Sequence, residues 1–286
     1  MNIDACTPLM TPFVKMHGLG NDFVVIDARA RAFRPDQALA AAIADRKTGV
    51  GYDQMLIMRP PEDARADVFM SIYNADGTEA QACGNGTRCV ARRIMAETGK
   101  DRAIIETVAG LLDARAAPDG LVAVDMGRVE TDWDKIPLAE ACDTLHAPLE
   151  LGPLRDPVAN NIGNPHVTFF VDDLDAIDLE TLGPTLEHHP IFPERANIGV
   201  AQVIDRGHAR LRVWERGVGE TEACGTGACA AAVALARRDL TEREVEVTLL
   251  GGPLSLSWRA DGHIVMTGPA SSSYVGAFDA SELMYR

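Results

Sequence analysis

Apolar positions recur along this chain in two patterns. Short runs rich in Val, Ile, Leu, Phe and Met lie between clusters of Gly, Pro, Asn and Asp, as β-strands closed by turns do. The first half has "FVVID", "QMLIM", "DVFMSIY", "AIIETVA" and "LVAVDM"; the second has "HVTFFV", "IGVAQVI", "ARLRVWE", "EVEVTLL", "PLSLSW" and "HIVMTG". The other pattern is helical. "DQALAAAIADR" and "LETLGPTLEHH" predict outer amphipathic helices, one in each half. After Gly227, "ACAAAVALA" is apolar all round, which predicts a helix buried on every side and therefore wrapped by a sheet. After Gly86, "TRCVARRIMAE" is less uniform. Cys89, Val90, Ile94 and Met95 cover a broad face, and Arg88, Arg92 and Arg93 need solvent or a partner.

The chain also matches itself. "EAQACGNGTRC" aligns with "ETEACGTGACA", with Cys83 and Cys224 141 positions apart. "GNDFVV" aligns with "GNPHVT", with Asn21 and Asn164 143 apart, and Gln54 falls opposite Asn197 at the same spacing. Three matches in one order predict a duplication. The expected fold is α+β: two similar, pseudo-symmetric domains, each a curled, mostly antiparallel, barrel-like sheet around a central helix, with the active site in the cleft between them. No composition shift marks a linker. The join is placed near Gly127-Arg128, giving halves 1–127, completed by 270–286, and 128–269.

Composition narrows the function. Among 286 residues, 47% are hydrophobic and 24% charged, as in a folded soluble protein, and the formal net charge of −15 excludes a nucleic-acid partner held through its phosphates. No apolar run reaches membrane-helix length, so no membrane partner is expected. The N-terminal residues lack a basic n-region and an apolar core, so a cytoplasmic location is expected and the six cysteines are expected as reduced thiols. Cys6 and Cys142 stand in no patterned context and read as packing. A metal is not expected, because Cys83 to Cys89 and Cys224 to Cys229 lack CxxC spacing and His188-His189 offers no helix-face pair. Pyridoxal phosphate is not expected either, since Lys15, Lys47, Lys100 and Lys135 lack a phosphate-binding context.

Cys83 and Cys224 are different. Each precedes a Gly-rich helix start, where the helix dipole and free backbone N–H groups favour thiolate over thiol and suit a carboxylate or phosphate. If the halves pack about an approximate two-fold axis, one thiol flanks each side of whatever is bound. That geometry suits stereoinversion, in which one group removes a proton from one face of a carbon and a second returns one to the other face. Two readings compete with it: packing under tight turns, and a redox pair, which the missing CxxC spacing disfavours.

With "KMHGLGNDF", "GVGYDQ", "YNADGTEAQACGNGTRC", "GNPHV", "ERANIGV" and "VWERGVGETEACGTGACA" in order across nearly the whole chain, the sequence resembles the diaminopimelate epimerases. The resemblance implies cofactor-independent interconversion of LL- and meso-2,6-diaminopimelate in lysine biosynthesis and peptidoglycan precursor supply, by a homodimer, with Cys83 and Cys224 as thiolate and thiol. It implies that Gly84, Asn85, Gly225 and Thr226 supply donors to the reacting α-carboxylate. Asn21, Gln54, Asn74, Asn164, Asn197, Glu215 and Arg216 match positions that hold the rest of the substrate, and His166 and Glu215 match groups that support the thiols. Departures are small: Thr78 stands where serine is common, and a carboxylate at Glu222 would raise the Cys224 pKa. Two alternatives remain open, a proline racemase or hydroxyproline epimerase of the same fold and a non-catalytic amino-acid-binding or thiol-sensing protein. Proline has no second charged end for the asparagine set and Arg216 to hold.

Overall fold

A computed structural model describes residues 10–81 and 83–284, so Cys6 lies outside the described residues. The chain packs as two units, Leu112–Pro269 and the segments on either side of it. In chain order the first unit forms β1 (Thr11–Gly18), β2 (Asn21–Asp27), α1 (Gln37–Ala44), β3 (Gln54–Arg59), β4 (Val68–Asn74), β5 (Glu79–Ala80), α2 (Gly84–Thr98) and β6 (Arg102–Thr107). β7 (Gly110–Ala116) leads into the second, with β8 (Val122–Arg128), β9 (Glu150–Leu151), β10 (Leu154–Arg155), β11 (Val158–Asn161), β12 (Pro165–Phe170), α3 (Leu179–Glu187), β13 (Asn197–Asp205), β14 (His208–Glu215), β15 (Gly219–Thr221), α4 (Gly225–Arg237), β16 (Glu244–Leu249), β17 (Gly252–Trp258) and β18 (His263–Gly268). β19 (Ser271–Phe278) and α5 (Ala280–Leu283) return to the first unit. Among the described residues no helix is long and apolar enough to cross a membrane.

In the first unit the strands run β19-β1-β2-β3-β4-β6, with β5 also on β4; β2 with β3 and β4 with β6 are parallel, the other pairs antiparallel. The second runs β11-β12-β13-β14-β16-β17-β18-β8-β7, with β15 on β14, and is parallel only at β12 with β13 and β14 with β16. Parallel neighbours need a crossover rather than a hairpin. α1, α2, α3 and α4 are those four crossovers, one for each parallel junction.

The duplication reaches the register. Phe23 lies opposite Gln54 and, 143 positions later, His166 opposite Asn197. Ile72 pairs with Ala80 and, 141 later, Val213 with Thr221. The sequence reading places the join near Gly127-Arg128, whereas the contact division falls at Leu111–Leu112. β8 pairs with β7 and β18, which ties Val122–Arg128 to the second unit.

α4 packs against β11 to β14 and β16 to β18, and every residue from Gly227 to Leu235 is buried, as its all-round apolarity predicts. α2 packs against β1, β2, β3 and β6. Cys89, Val90, Ile94 and Met95 are buried there and so is Arg88, while the exposed Arg92 donates to the Ala270 carbonyl.

Candidate active site

Both thiols sit at helix N-caps. Cys83 caps α2 with extended backbone angles (φ −149°, ψ 106°), and its Sγ accepts from the Gly86 N–H at 3.2 Å. Cys224 caps α4 in the same way (φ −106°, ψ 106°), its Sγ accepting from the Gly227 N–H at 3.4 Å. An N-cap oxygen normally takes this third amide; a sulfur there has the helix dipole behind it, which favours negative charge on it. Both third positions are tight for anything larger than glycine. A Cβ on Gly86 would lie 3.0 Å from both Leu56 methyls and 3.3 Å from Cys83 Sγ, and one on Gly227 would lie 2.9 Å from Val213 Cγ2 and 3.2 Å from Cys224 Sγ. Cys83 is half-buried and Cys224 buried.

In the second unit one hydrogen-bonded chain runs from Cys224 through most of the predicted residues. Cys224 Sγ is 3.6 Å from Thr226 Oγ1, which accepts from Asn164 Nδ2 at 3.5 Å, and Asn164 Oδ1 lies 3.0 Å from His166 Nε2. Asn197 donates from Nδ2 to the Pro165 carbonyl and accepts the Arg216 backbone N–H on Oδ1 at 3.0 Å. Glu215 Oε1 accepts from Thr221 Oγ1 at 2.5 Å, and its carboxyl also touches Cys224. Burial first, and the Glu215 charge second, push the Cys224 thiol well up, outweighing the opposing contacts from Thr226 and Gly227. Burial likewise raises the Glu215 carboxyl. The acid acting on Cys224 is thus Glu215, while Glu222, to which the sequence reading gave that effect, is exposed.

Burial, and then the Arg216 charge, bring His166 down to about 3 from its ordinary 6.5, so the imidazole is neutral at physiological pH. The unfolded chain binds a proton near 6.5 that the folded chain refuses until about 3. Stability supplied by the neutral ring is therefore present above about 6.5 and is lost as pH falls from there towards 3. Urea titrations at successive pH values should show this acid-side loss in the wild type and a flatter dependence in His166→Gln.

In the first unit Gln54 Nε2 donates to Asn74 Oδ1 at 2.9 Å, and Asn74 Nδ2 donates to Thr78 Oγ1 at 3.1 Å. Asn21 is held separately, its Nδ2 donating to Asp53 Oδ2 at 3.0 Å. Asp53 also accepts the Asp22 N–H, and Asp22 accepts the Asp53 N–H and the guanidinium of Arg46 and pairs with Lys15. Burial works against ionisation of Asp22, but the Arg46 and Lys15 contacts bring its carboxyl down to about 2. Sequence reasoning overlooked Asp53, although it sits inside the quoted "GYDQ"; an acid next to the turn that presents Asn21 was the available signal. Gly84, Asn85 and Gly225 are buried in the first helical turns. Arg216 is exposed and donates from Nη1 to the Glu194 carbonyl at 3.0 Å.

Each unit thus has a thiol capping a helix N-terminus, with first-turn amides beside it and different side-chain neighbours, an arrangement able to do acid–base chemistry next to a carboxylate. Glu215 stands at the position equivalent to Asn74, and Thr226 at that of Asn85.

The family model described as diaminopimelate epimerase matches residues 13–131 and 158–273. The diaminopimelate epimerase of Rhodospirillum centenum is 54% identical over 264 residues, covering 92% of this chain and 91% of its own. That of Rhizorhabdus wittichii is 55% identical over 270 residues, covering 94% and 96%. Among solved structures, a hydroxyproline epimerase from Agrobacterium vitis superposes with a TM-score of 0.68 at 18% identity, covering 95% of this chain and 92% of that one, a likeness of fold. By family model and by these relatives, the chain belongs to the diaminopimelate epimerase family.

Proposed function

We propose that this chain interconverts LL- and meso-2,6-diaminopimelate without a cofactor, by a two-base reaction in which Cys83 and Cys224 serve opposite faces of one α-carbon. The observation that supports it best is the equivalence of the two thiols, each capping a helix and each taking the N–H three residues on. A thiolate removes the α-proton, and the charge left on carbon spreads into the α-carboxylate. The first-turn amides of Gly84, Asn85, Gly225 and Thr226 receive that charge where it grows. The other thiol gives its proton to the opposite face, and the two exchange roles in the reverse direction. Cys224, kept protonated by burial and Glu215, serves first as the acid, which leaves Cys83 as the base in that direction.

The Arg216 fork suits the distal carboxylate. The amides of Asn21, Gln54, Asn74, Asn164 and Asn197 supply donors and acceptors for the distal amino-acid end, and neutral His166 fixes the Asn164 amide. The resemblance extends the proposal to a cytoplasmic homodimer, which light scattering tests as a mass twice the 30.7 kDa chain.

Incubation with LL-diaminopimelate, L-proline and trans-4-hydroxy-L-proline, each without added cofactor and resolved by chiral chromatography, discriminates the readings. Meso-diaminopimelate should form while the prolines are untouched. Turnover of a proline in place of diaminopimelate would establish the hydroxyproline epimerase reading, and turnover of none would leave a binding protein.

The Glu215 contact gives a separate prediction. In Glu215→Gln the charge that opposes the Cys224 thiolate is gone, so the pH at which Cys224 ionises should fall. Thiolate ultraviolet absorbance in a Cys83→Ala background reads that shift. An unchanged or raised midpoint would remove Glu215 from the account.

A further inference from the structure

The geometry points to Glu187 as a positioning residue for Arg216; Glu215, beside it, is held separately by Thr221. It rests on the reading that Arg216 holds the distal carboxylate of the substrate. Glu187 is the last residue of α3 and only 3% exposed. Its Oε2 accepts the Trp214 indole N–H at 2.8 Å, and its Oε1 accepts the Gly217 backbone N–H at 2.9 Å. Trp214 and Gly217 flank Glu215-Arg216 on either side, so one buried carboxylate bridges both ends of the dipeptide.

Helix packing sets where that carboxylate sits. Gly183, one turn earlier on α3, lies so close to the Trp214 ring that a Cβ there would be 2.4 Å from it. α3 is therefore seated directly on the indole. Gly217 has φ 75°, a left-handed conformation that a bulkier residue adopts with strain, and the Glu187 bond holds its amide in that turn. Arg216 completes the arrangement through its N–H on Asn197 and its guanidinium on the Glu194 carbonyl. The Arg195 guanidinium, in the same turn as Glu194, lies 3.7 Å from Glu187 Oε1.

Burying a carboxylate whose two hydrogen bonds come from neutral donors and whose cation, Arg195, stands off at 3.7 Å is a costly way to close a turn that apolar packing alone could close. The result obtained in exchange is a fixed Arg216. Loosening it weakens grip on the distal carboxylate equally in ground and transition states, which raises KM and leaves kcat nearly unchanged.

Glu187→Gln keeps the shape but offers one acceptor oxygen where there were two. It should raise KM for LL-diaminopimelate about tenfold, the scale of one charge-assisted hydrogen bond, with kcat within about threefold. Trp214→Phe, which deletes only the indole donor, should move KM in the same direction by less. In an Arg216→Ala background the Glu187→Gln penalty should vanish, because the group it positions is gone. Hydrogen exchange at the Gly217 amide should quicken about tenfold in Glu187→Gln, the loss of one hydrogen bond. An unchanged KM, or penalties that multiply in the double variant, would overturn the assignment. A wild type inactive on LL-diaminopimelate would overturn the functional reading instead; the Gly217 amide then decides the positioning alone, and unchanged exchange refutes it.

Discussion

Cys83→Ala and Cys224→Ala should each lower kcat for epimerisation by about a thousandfold or more, since each deletes one of two groups that must move a proton in every turnover. The loss should fall on kcat far more than on KM, because neither thiol is asked to anchor the substrate. Serine variants keep an acceptor for the Gly86 and Gly227 amides, yet a hydroxyl is far less acidic than a thiol, so they should recover little. The controls are Cys89→Ala and Cys229→Ala. Both thiols are fully buried in the body of their helices, about a turn or more beyond the helix-start amides, and so sit in the core rather than beside the substrate. Removing either sulfur should cost stability through packing and leave kcat near wild type. Steady-state kinetics on the four folded variants separates the pairs. Equal losses at Cys224 and Cys229 would mean that the wrong thiol has been assigned.

The second large effect is structural. Gly77→Ala should destabilise the protein by about 3 kcal/mol or more, the scale of combined backbone strain and overpacking. Gly77 has φ 80°, and a Cβ there would lie 2.1 Å from the Gln37 carbonyl oxygen, backbone that cannot rotate aside. The same turn sets Asn74, whose N–H and Nδ2 both bond Thr78 and whose carbonyl accepts the Gly77 N–H. Urea unfolding reads the stability, and the surviving folded fraction should show a raised KM as Asn74 and its partner Gln54 shift. Gly99→Ala is the comparison: φ is 68°, but the space around its Cβ is open, so it should cost about 1 kcal/mol, the strain without the clash.

Much of this architecture was legible because its signals are local. The apolar runs found β2, β3, β4, β6 and β8 in the first half and β12, β13, β14, β16, β17 and β18 in the second, and the all-apolar stretch after Gly227 found α4. The repeat carried the pairing of the two thiols, since self-alignment compares positions that never need to touch. Elements fixed by distant partners were not legible. β19 reads "SSSYVGAF", with exposed Ser272, Ser273, Tyr274 and Val275, and lacks a buried apolar run; it is a strand because it pairs with β1 from the opposite end of the chain. The parallel junctions were invisible for the same reason, and a mostly antiparallel sheet was the nearest description that strand spacing allowed.

The site divides in the same way. The quoted motifs named the candidate residues but not all the groups that hold them, Asp53 inside one motif and Glu187 outside them all. Glu187 lies in "LEHH", which as sequence is the polar end of an outer helix, and nothing short of the packing of α3 on Trp214 shows its carboxyl to be buried. Glu215 was legible as a group that supports the thiols, but sequence alone also let Glu222, two residues from Cys224, act on it; the structure puts the Glu215 carboxyl against the thiol and leaves Glu222 exposed.

The central claim is that one thiol removes the α-proton and a different thiol returns one from the opposite side. It is tested most directly by following LL-diaminopimelate in D2O with the reduced wild-type protein at low conversion. Two bases predict that the meso product carries deuterium at the inverted carbon while the remaining LL substrate stays unlabelled, because the proton removed and the one delivered reside on different sulfurs. Product that retains the original proton, or deuterium entering substrate as early as product, would contradict it.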